Sequence, residues 1–127
     1  MIFVDTNVLI YAVGVQHPLR PQARAFFEES LALSRPLATS AEVLQELLHA
    51  YLPVGRTAAL DAALTLVDSL IATVWSIEKE DVLAARALAD VHHGLGARDL
   101  IHLACCRRHN VQGLKTFDRA LAAAFSE

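Results

Sequence analysis

The chain has 127 residues, a length that argues for one domain spanning residues 1–127; a domain of that size buries roughly two thirds of its unfolded surface and needs no disulfide or structural metal. Apolar residues make up 54%, with Ala and Leu prominent, which points to helices and to apolar surface left for a partner. The net charge of −3 gives a whole-chain field that does not favour nucleic acid, although acids gathered in one metal-binding pocket would leave the remaining surface less acidic than the total. Met1 leads directly into an apolar run with no basic stretch or cleavage site, so no signal peptide is expected. No apolar run reaches the roughly 18 residues of a membrane span. Cys105 and Cys106 are neighbours in an apolar helix and poorly placed to bridge each other. They read as small core residues, and a reducing cytoplasm fits them best.

Ile2-Phe3-Val4 reads as a first strand that stops at Asp5-Thr6-Asn7, and Val8-Leu9-Ile10 resumes at helical spacing. Pro18 and Pro21 open a helix expected to run to about Ser34, ended by Arg35-Pro36. Residues Pro36 to Thr39 read as a second strand, and Ser40 is a plausible N-cap for a helix from Ala41 to Tyr51 stopped by Pro53 and Gly55. A helix from about Arg56 to Leu70 carries Leu60, Leu64, Val67 and Ile71 at helical spacing. Ala72 to Ser76 is a third strand. Glu78 to His93 reads as a helix with Val82, Ala85, Leu88 and Ala89 on one face, broken by Gly94 and Gly96. The nearly all-apolar helix from Ala97 to about Arg108 reads as buried on most sides. Val111 to Thr116 is a fourth strand and Asp118 to Phe125 a closing helix. Short strands alternating with helices imply an α/β fold: a parallel sheet covered on both faces, with right-handed connections.

Four acids stand where such a sheet places its ligands. Asp5 follows a strand and precedes a helix, where open α/β sheets bind; an N-cap or Asx turn explains the same position. Asn7, two residues on, suits the orienting of a carboxylate or a water. Glu46 falls at the border of the apolar arc of its helix, beside Glu42 and His49. Glu42 reads as a solvated face and Glu46 as a pocket residue; the two repel one turn apart, which a cation would relieve. Whether Glu42 or His49 shares the site is open. Asp99 lies in the first turn of the apolar helix, where the macrodipole stabilises an anion. Asp118 follows the last strand, with Thr116 as a candidate cap. Carboxylates crowded together raise one another's pKa. Mg²⁺ or Mn²⁺ is the natural occupant of such a cluster, and would support phosphodiester hydrolysis without a covalent intermediate.

Asp5-Thr6-Asn7-Val8-Leu9-Ile10 resembles the opening of PIN-domain ribonucleases, especially the VapC toxins of bacterial and archaeal toxin–antitoxin pairs. Thr39-Ser40 with Val43-Leu44-Gln45-Glu46-Leu47 resembles the second acidic motif, Ala97-Arg98-Asp99-Leu100-Ile101-His102-Leu103-Ala104 the third, and Lys115-Thr116-Phe117-Asp118 the last. The likeness covers essentially the whole chain. It implies a three-layer PIN-like fold around a short parallel sheet of about four to five strands. It implies Mg²⁺- or Mn²⁺-dependent endonucleolytic cleavage of RNA, with Asp5, Glu46, Asp99 and Asp118 as catalytic metal ligands and Asn7 and Thr116 in support. It also implies a homodimer held inactive by a VapB-like antitoxin. Arg98, Lys115 and Arg119, near the motifs, could hold the RNA backbone, a contact that positions a strand without specifying sequence.

Other readings are weaker. A haloacid-dehalogenase-type phosphatase requires a second Asp where this chain has Asn7. A phosphoacceptor receiver-like signalling domain needs an Asp ending a mid-chain strand, and Trp75-Ser76-Ile77 supplies none. The pairs Glu46/His49 and Asp99/His102 have the spacing of di-iron bundles, which have no use for four strands; these histidines read instead as supporting or surface groups. His92-His93 reads as a solvated helix end. A non-catalytic RNA- or protein-binding module is the remaining alternative, and a degenerate member would be expected to have lost an acid.

Overall fold

The computed structural model describes all of residues 1–127. The elements in chain order are β1 (Ile2–Val4), α1 (Thr6–Val13), α2 (Arg20–Ala32), β2 (Leu37–Ser40), α3 (Ala41–Tyr51), α4 (Thr57–Leu70), β3 (Thr73–Trp75), α5 (Lys79–Leu88), α6 (Ala97–Arg108), β4 (Gly113–Lys115) and α7 (Arg119–Ser126). The four strands form one parallel sheet in the order β3-β2-β1-β4. Connections from β1 to β2 to β3 step one way across the sheet, and the connection to β4 returns past both. Right-handed crossovers then place the helices of the first two connections on one face and those of the third on the other. The packing agrees: α1 lies against α2, α3 and α4, whereas α6 lies against α5 and α7. This is the α/β architecture expected, with four strands.

Topology locates the crevice. The chain leaves β1 for β2 on one side, while β4 lies on its other side. The carboxyl ends of β1 and β4 therefore flank the point where the winding direction reverses, and open α/β sheets bind ligands there. Register is explicit: Val4 pairs with Lys115, and the Asp5 N–H donates to the Lys115 carbonyl at 3.0 Å. Asp5 and Thr116 thus come off adjacent strands together. On the other side of β1, the buried Thr39 hydroxyl donates to the Val4 carbonyl at 2.9 Å, so the strand end carries no unpaired acceptor there.

Phe3, Val4, Val8, Leu9, Leu37, Val43, Leu47 and Val67 head a large apolar core that also takes in Cys105 and Cys106. Both cysteines are free and buried, as a core role requires, and burial raises the Cys105 thiol to about 11. Helix α6 touches three environments. Its cysteines face the main core, Leu100 and Ala104 pack with Ala85 of α5, and Leu103 packs with Leu121 and Ala124 of α7. A helix with neighbours on three sides needs the nearly continuous apolar surface read in its sequence.

Several boundaries differ from expectation. Helix α2 ends at Ala32 rather than near Ser34 because Ser34 takes a left-handed φ of 51°. Helix α5 stops at Leu88 instead of His93. Beyond it the Asp90 and Val91 N–H groups bond to the carbonyls three residues back, the tighter geometry in which α-helices often terminate. Val82, expected on the buried face of α5, is 49% exposed; Ala85 carries the packing. His93 is exposed, but His92 turns inward with Nδ1 3.6 Å from the Glu127 carboxylate.

Candidate active site

Asp5 is buried at the end of β1. Its Oδ1 accepts the Thr6 N–H at 2.8 Å and its Oδ2 accepts the Thr116 hydroxyl at 2.7 Å. Asp5 therefore caps α1 and also belongs to a polar cluster across the β1–β4 edge. Thr116 is the hub of that cluster. Its oxygen accepts from Asn7 Nδ2 at 3.3 Å and from the Asp118 N–H at 3.0 Å. A hydroxyl has one proton and two lone pairs, so these acceptances leave its proton directed at Asp5. Asn7 Oδ1 accepts the Phe117 N–H at 3.2 Å. Asn7 thus reaches Asp5 through Thr116, not directly. Asp118 is itself the cap of α7, accepting from the Ala120 and Leu121 N–H groups at 2.9 and 3.1 Å. Thr116, expected in that role, instead anchors the Asp118 backbone.

Glu46 enters from α3 and Asp99 from the first turn of α6. Burial is the main cause raising the Asp99 carboxyl to about 6; the charges of Asp5 and Asp118 add to it, His102 opposes, and Glu46 adds again. Burial likewise raises Asp5, against the pull of His102, the Thr116 hydroxyl and the Thr6 N–H, with Glu46 adding to the rise. Carboxylates from β1, α3, α6 and the start of α7 therefore act on one another within one neighbourhood. Glu42 is half-buried and His49 exposed, and neither perturbs Asp5 or Asp99. The second acid of the cluster is Glu46.

One member was only partly legible. His102 is fully buried, its Nε2 hydrogen-bonds Glu46 Oε1, and the same nitrogen lies 3.7 Å from Asp5 Oδ1. It follows Asp99 by one helical turn, so its sequence position alone placed it on the correct face; nothing in the sequence distinguished a supporting role from a surface one.

The basic residues are dispersed. Arg98 is exposed and, with Glu46, Gly96, Ala97 and Asp99, lines a depression of about 400 Å³. Arg119 is exposed in the first turn of α7. The Lys115 ammonium lies 5.6 and 5.0 Å from the ring centres of Phe26 and Phe117 and would have to leave them to reach a phosphate.

No three His, Cys, Asp or Glu side chains, as placed, form a closed chelating group. The donor chemistry nonetheless fits a hard divalent cation. The donors are carboxylate oxygens, their mutual repulsion favours a cation, and Mg²⁺ keeps several waters and takes one or two carboxylates instead of a dedicated cage.

Known proteins share this sequence family and fold. The model of the PIN domain matches residues 2–125. Ribonuclease VapC23 of Mycobacterium tuberculosis is 60% identical over 125 residues, covering 98% of each chain. The crystal structure of M. tuberculosis VapC20, described as a Sarcin-Ricin loop cleaving toxin, superposes with a TM-score of 0.76 at 24% identity over 98% of this chain and 95% of that one. VapBC2 of Rickettsia felis, solved bound to a DNA fragment from its promoter, superposes with a TM-score of 0.63 at 21% identity over 93% of this chain and 88% of that one. The chain belongs to the PIN-domain family. Within it, the chain groups with the VapC ribonucleases.

Proposed function

We propose that this protein is an Mg²⁺- or Mn²⁺-dependent endoribonuclease that hydrolyses RNA phosphodiester bonds as the toxin of a toxin–antitoxin pair. The observation that carries the reading is geometric: Glu46 of α3 and Asp5 at the end of β1 meet at the His102 imidazole, Thr116 joins Asp5 to the Asp118 backbone, and Asp99 lines one depression with Glu46. Asp5, Glu46 and Asp99 would hold the cation, directly or through water, and Asp118 would complete the site. When bound, such a cation lowers the pKa of a coordinated water and neutralises charge on a phosphoryl group. Thr116 aims its proton at Asp5 and so fixes the rotation of that carboxylate, while Asn7 holds Thr116. Arg98 borders the depression beside Asp99, where it would meet the RNA backbone. Partners in this reading are RNA, a VapB-like antitoxin and a second copy of the chain.

A purified sample incubated with total RNA should cut in Mn²⁺ or Mg²⁺ and stop in EDTA. Asp5→Asn, which nearly keeps the shape, should fold normally and cut about two orders of magnitude more slowly, roughly 2.7 kcal/mol of transition-state stabilisation. Undiminished cutting by that variant, or by the wild type in chelator, would overturn the assignment. A non-catalytic binding module gains no support, since all four acids are present.

A further inference from the structure

His102 is the one fully buried histidine of the chain. Its ring centre lies 5.8 Å from that of Phe3, so packing against β1 and its own helix sets where it sits. A buried imidazole without water needs partners for its nitrogens. Nδ1 has none in the chain. Nε2 has Glu46 as a hydrogen-bond partner and Asp5 3.7 Å away. Facing two carboxylates, Nε2 must carry the proton whichever charge state the ring holds.

Glu46 depends on this single contact more than Asp5 and Asp118 depend on any one of theirs. Asp5 is gripped by Thr6 and Thr116, and Asp118 by two backbone N–H groups. The Glu46 carboxylate bonds within the chain only to His102. A glutamate has three side-chain torsions to freeze, more than an aspartate has, and each costs conformational entropy. A rigid donor behind it removes that freedom before any ligand arrives. Such supporting partners commonly set the affinity of a metal site as much as its identity.

We propose that His102 is a positioning residue, whose Nε2–H holds the Glu46 carboxylate of α3 beside Asp5 of β1 and so assembles the cation site across the two elements. The proposal rests on the carboxylate-site reading above. It separates from a packing role because the hydrogen bond and the ring volume can be removed independently. His102→Gln keeps an N–H donor at similar reach, and His102→Leu keeps bulk without a donor.

The test is Mn²⁺ affinity of the metal-free protein, read by electron paramagnetic resonance of free Mn²⁺, with thermal unfolding in EDTA as the folding control. His102→Leu should bind Mn²⁺ more weakly by about ten- to a hundredfold, and His102→Gln should recover most of that loss. Leu binding as tightly as wild type overturns the proposal. So does a Gln variant that folds yet binds as weakly as Leu, because the ring and not its donor would then matter. Should Leu not fold, Gln decides alone: near-wild-type affinity supports the proposal and a tenfold or greater loss overturns it. Wild-type protein that binds no Mn²⁺ overturns the site reading and this proposal together, whereas wild-type binding with an unaffected Leu variant overturns this proposal only.

Discussion

Asp99 is an acid whose ionisation works against the stability of the metal-free fold. Burial and three neighbouring acids raise its carboxyl to about 6, so the folded state holds its proton more tightly than the unfolded state does. Stability from this group is complete below the ordinary value of 3.8 and is lost as pH rises through about 6. At neutral pH without metal, the ionised Asp99 therefore opposes folding. Asp99→Asn should stabilise the metal-free protein at pH 7.5 by on the order of 1 kcal/mol after allowance for solvent screening, about 4 °C in melting temperature. The gain should vanish at pH 4 while RNA cleavage is lost at both. Melting curves of the two proteins in EDTA at the two pH values check this; an equal gain at both would mean the charge is not the cause. The acid itself is legible in the sequence because a carboxylate opening an apolar helix is conspicuous. Its perturbed state is not, since that comes first from burial and then from residues 5, 118 and 46, whose approach depends on the sheet order.

At the scale of elements, α5 is fastened by an ion pair as well as by its apolar face. Ala85 is its only deeply packed hydrophobic position, and Val82 and Leu83 are exposed. Asp81, by contrast, is buried, with Oδ1 2.6 Å from Arg108 Nε and Oδ2 2.9 Å from Arg108 Nη2. Burial works to raise the Asp81 carboxyl, but the Arg108 hydrogen bonds, the Glu78 N–H and the Arg108 charge outweigh it and leave it below the usual carboxylate value. Helical periodicity in the sequence locates α5, yet it misplaces Val82 and the carboxyl end. An apolar stripe does not reveal that a buried acid shares the anchoring, and the short-range turn bonds after Leu88 leave no sequence signature. Asp81→Asn should lower the urea midpoint, since it removes the carboxylate charge that Arg108 pairs with and leaves that guanidinium only the Ser76 carbonyl and the more distant Glu80. The stabilisation by Asp81 is present above about pH 4, near the unfolded carboxylate value, and disappears as pH falls through its lower folded value. The gap between wild type and Asp81→Asn should therefore narrow in strong acid. A constant gap from pH 7 to pH 2 would assign the loss to packing.

For the molecule as a whole, the alternation of strands and helices was enough to read the parallel sheet, and the acids after strands pointed to its carboxyl edge. The strand order was not readable in the same way, because three-residue strands carry too little pattern to choose neighbours; the right-handed crossovers and the placement of β4 beside β1 decide it. That order has a mechanical consequence. The acid cluster draws on the end of β1, on α3 from the β2–β3 connection, on α6 from the β3–β4 connection and on the start of α7 beyond β4, so a cation bound there would tie together helices from both faces of the sheet. Anything that binds only the folded state stabilises it by mass action, about 2.7 kcal/mol at a hundred times the dissociation constant. Mn²⁺ at that excess should therefore raise the melting temperature of the wild type by roughly 10 °C, with midpoints rising in proportion to the logarithm of metal concentration. Asp5→Asn should respond far less. Hydrogen exchange should localise the added protection to α3, α6 and the β1–β4 edge, and spare α2, which contributes no acid to the cluster. Protection spread evenly over all seven helices, or a melting temperature unmoved by Mn²⁺ while Mn²⁺-dependent cleavage persists, would mean that the ion enters with the RNA and is not held by the protein beforehand.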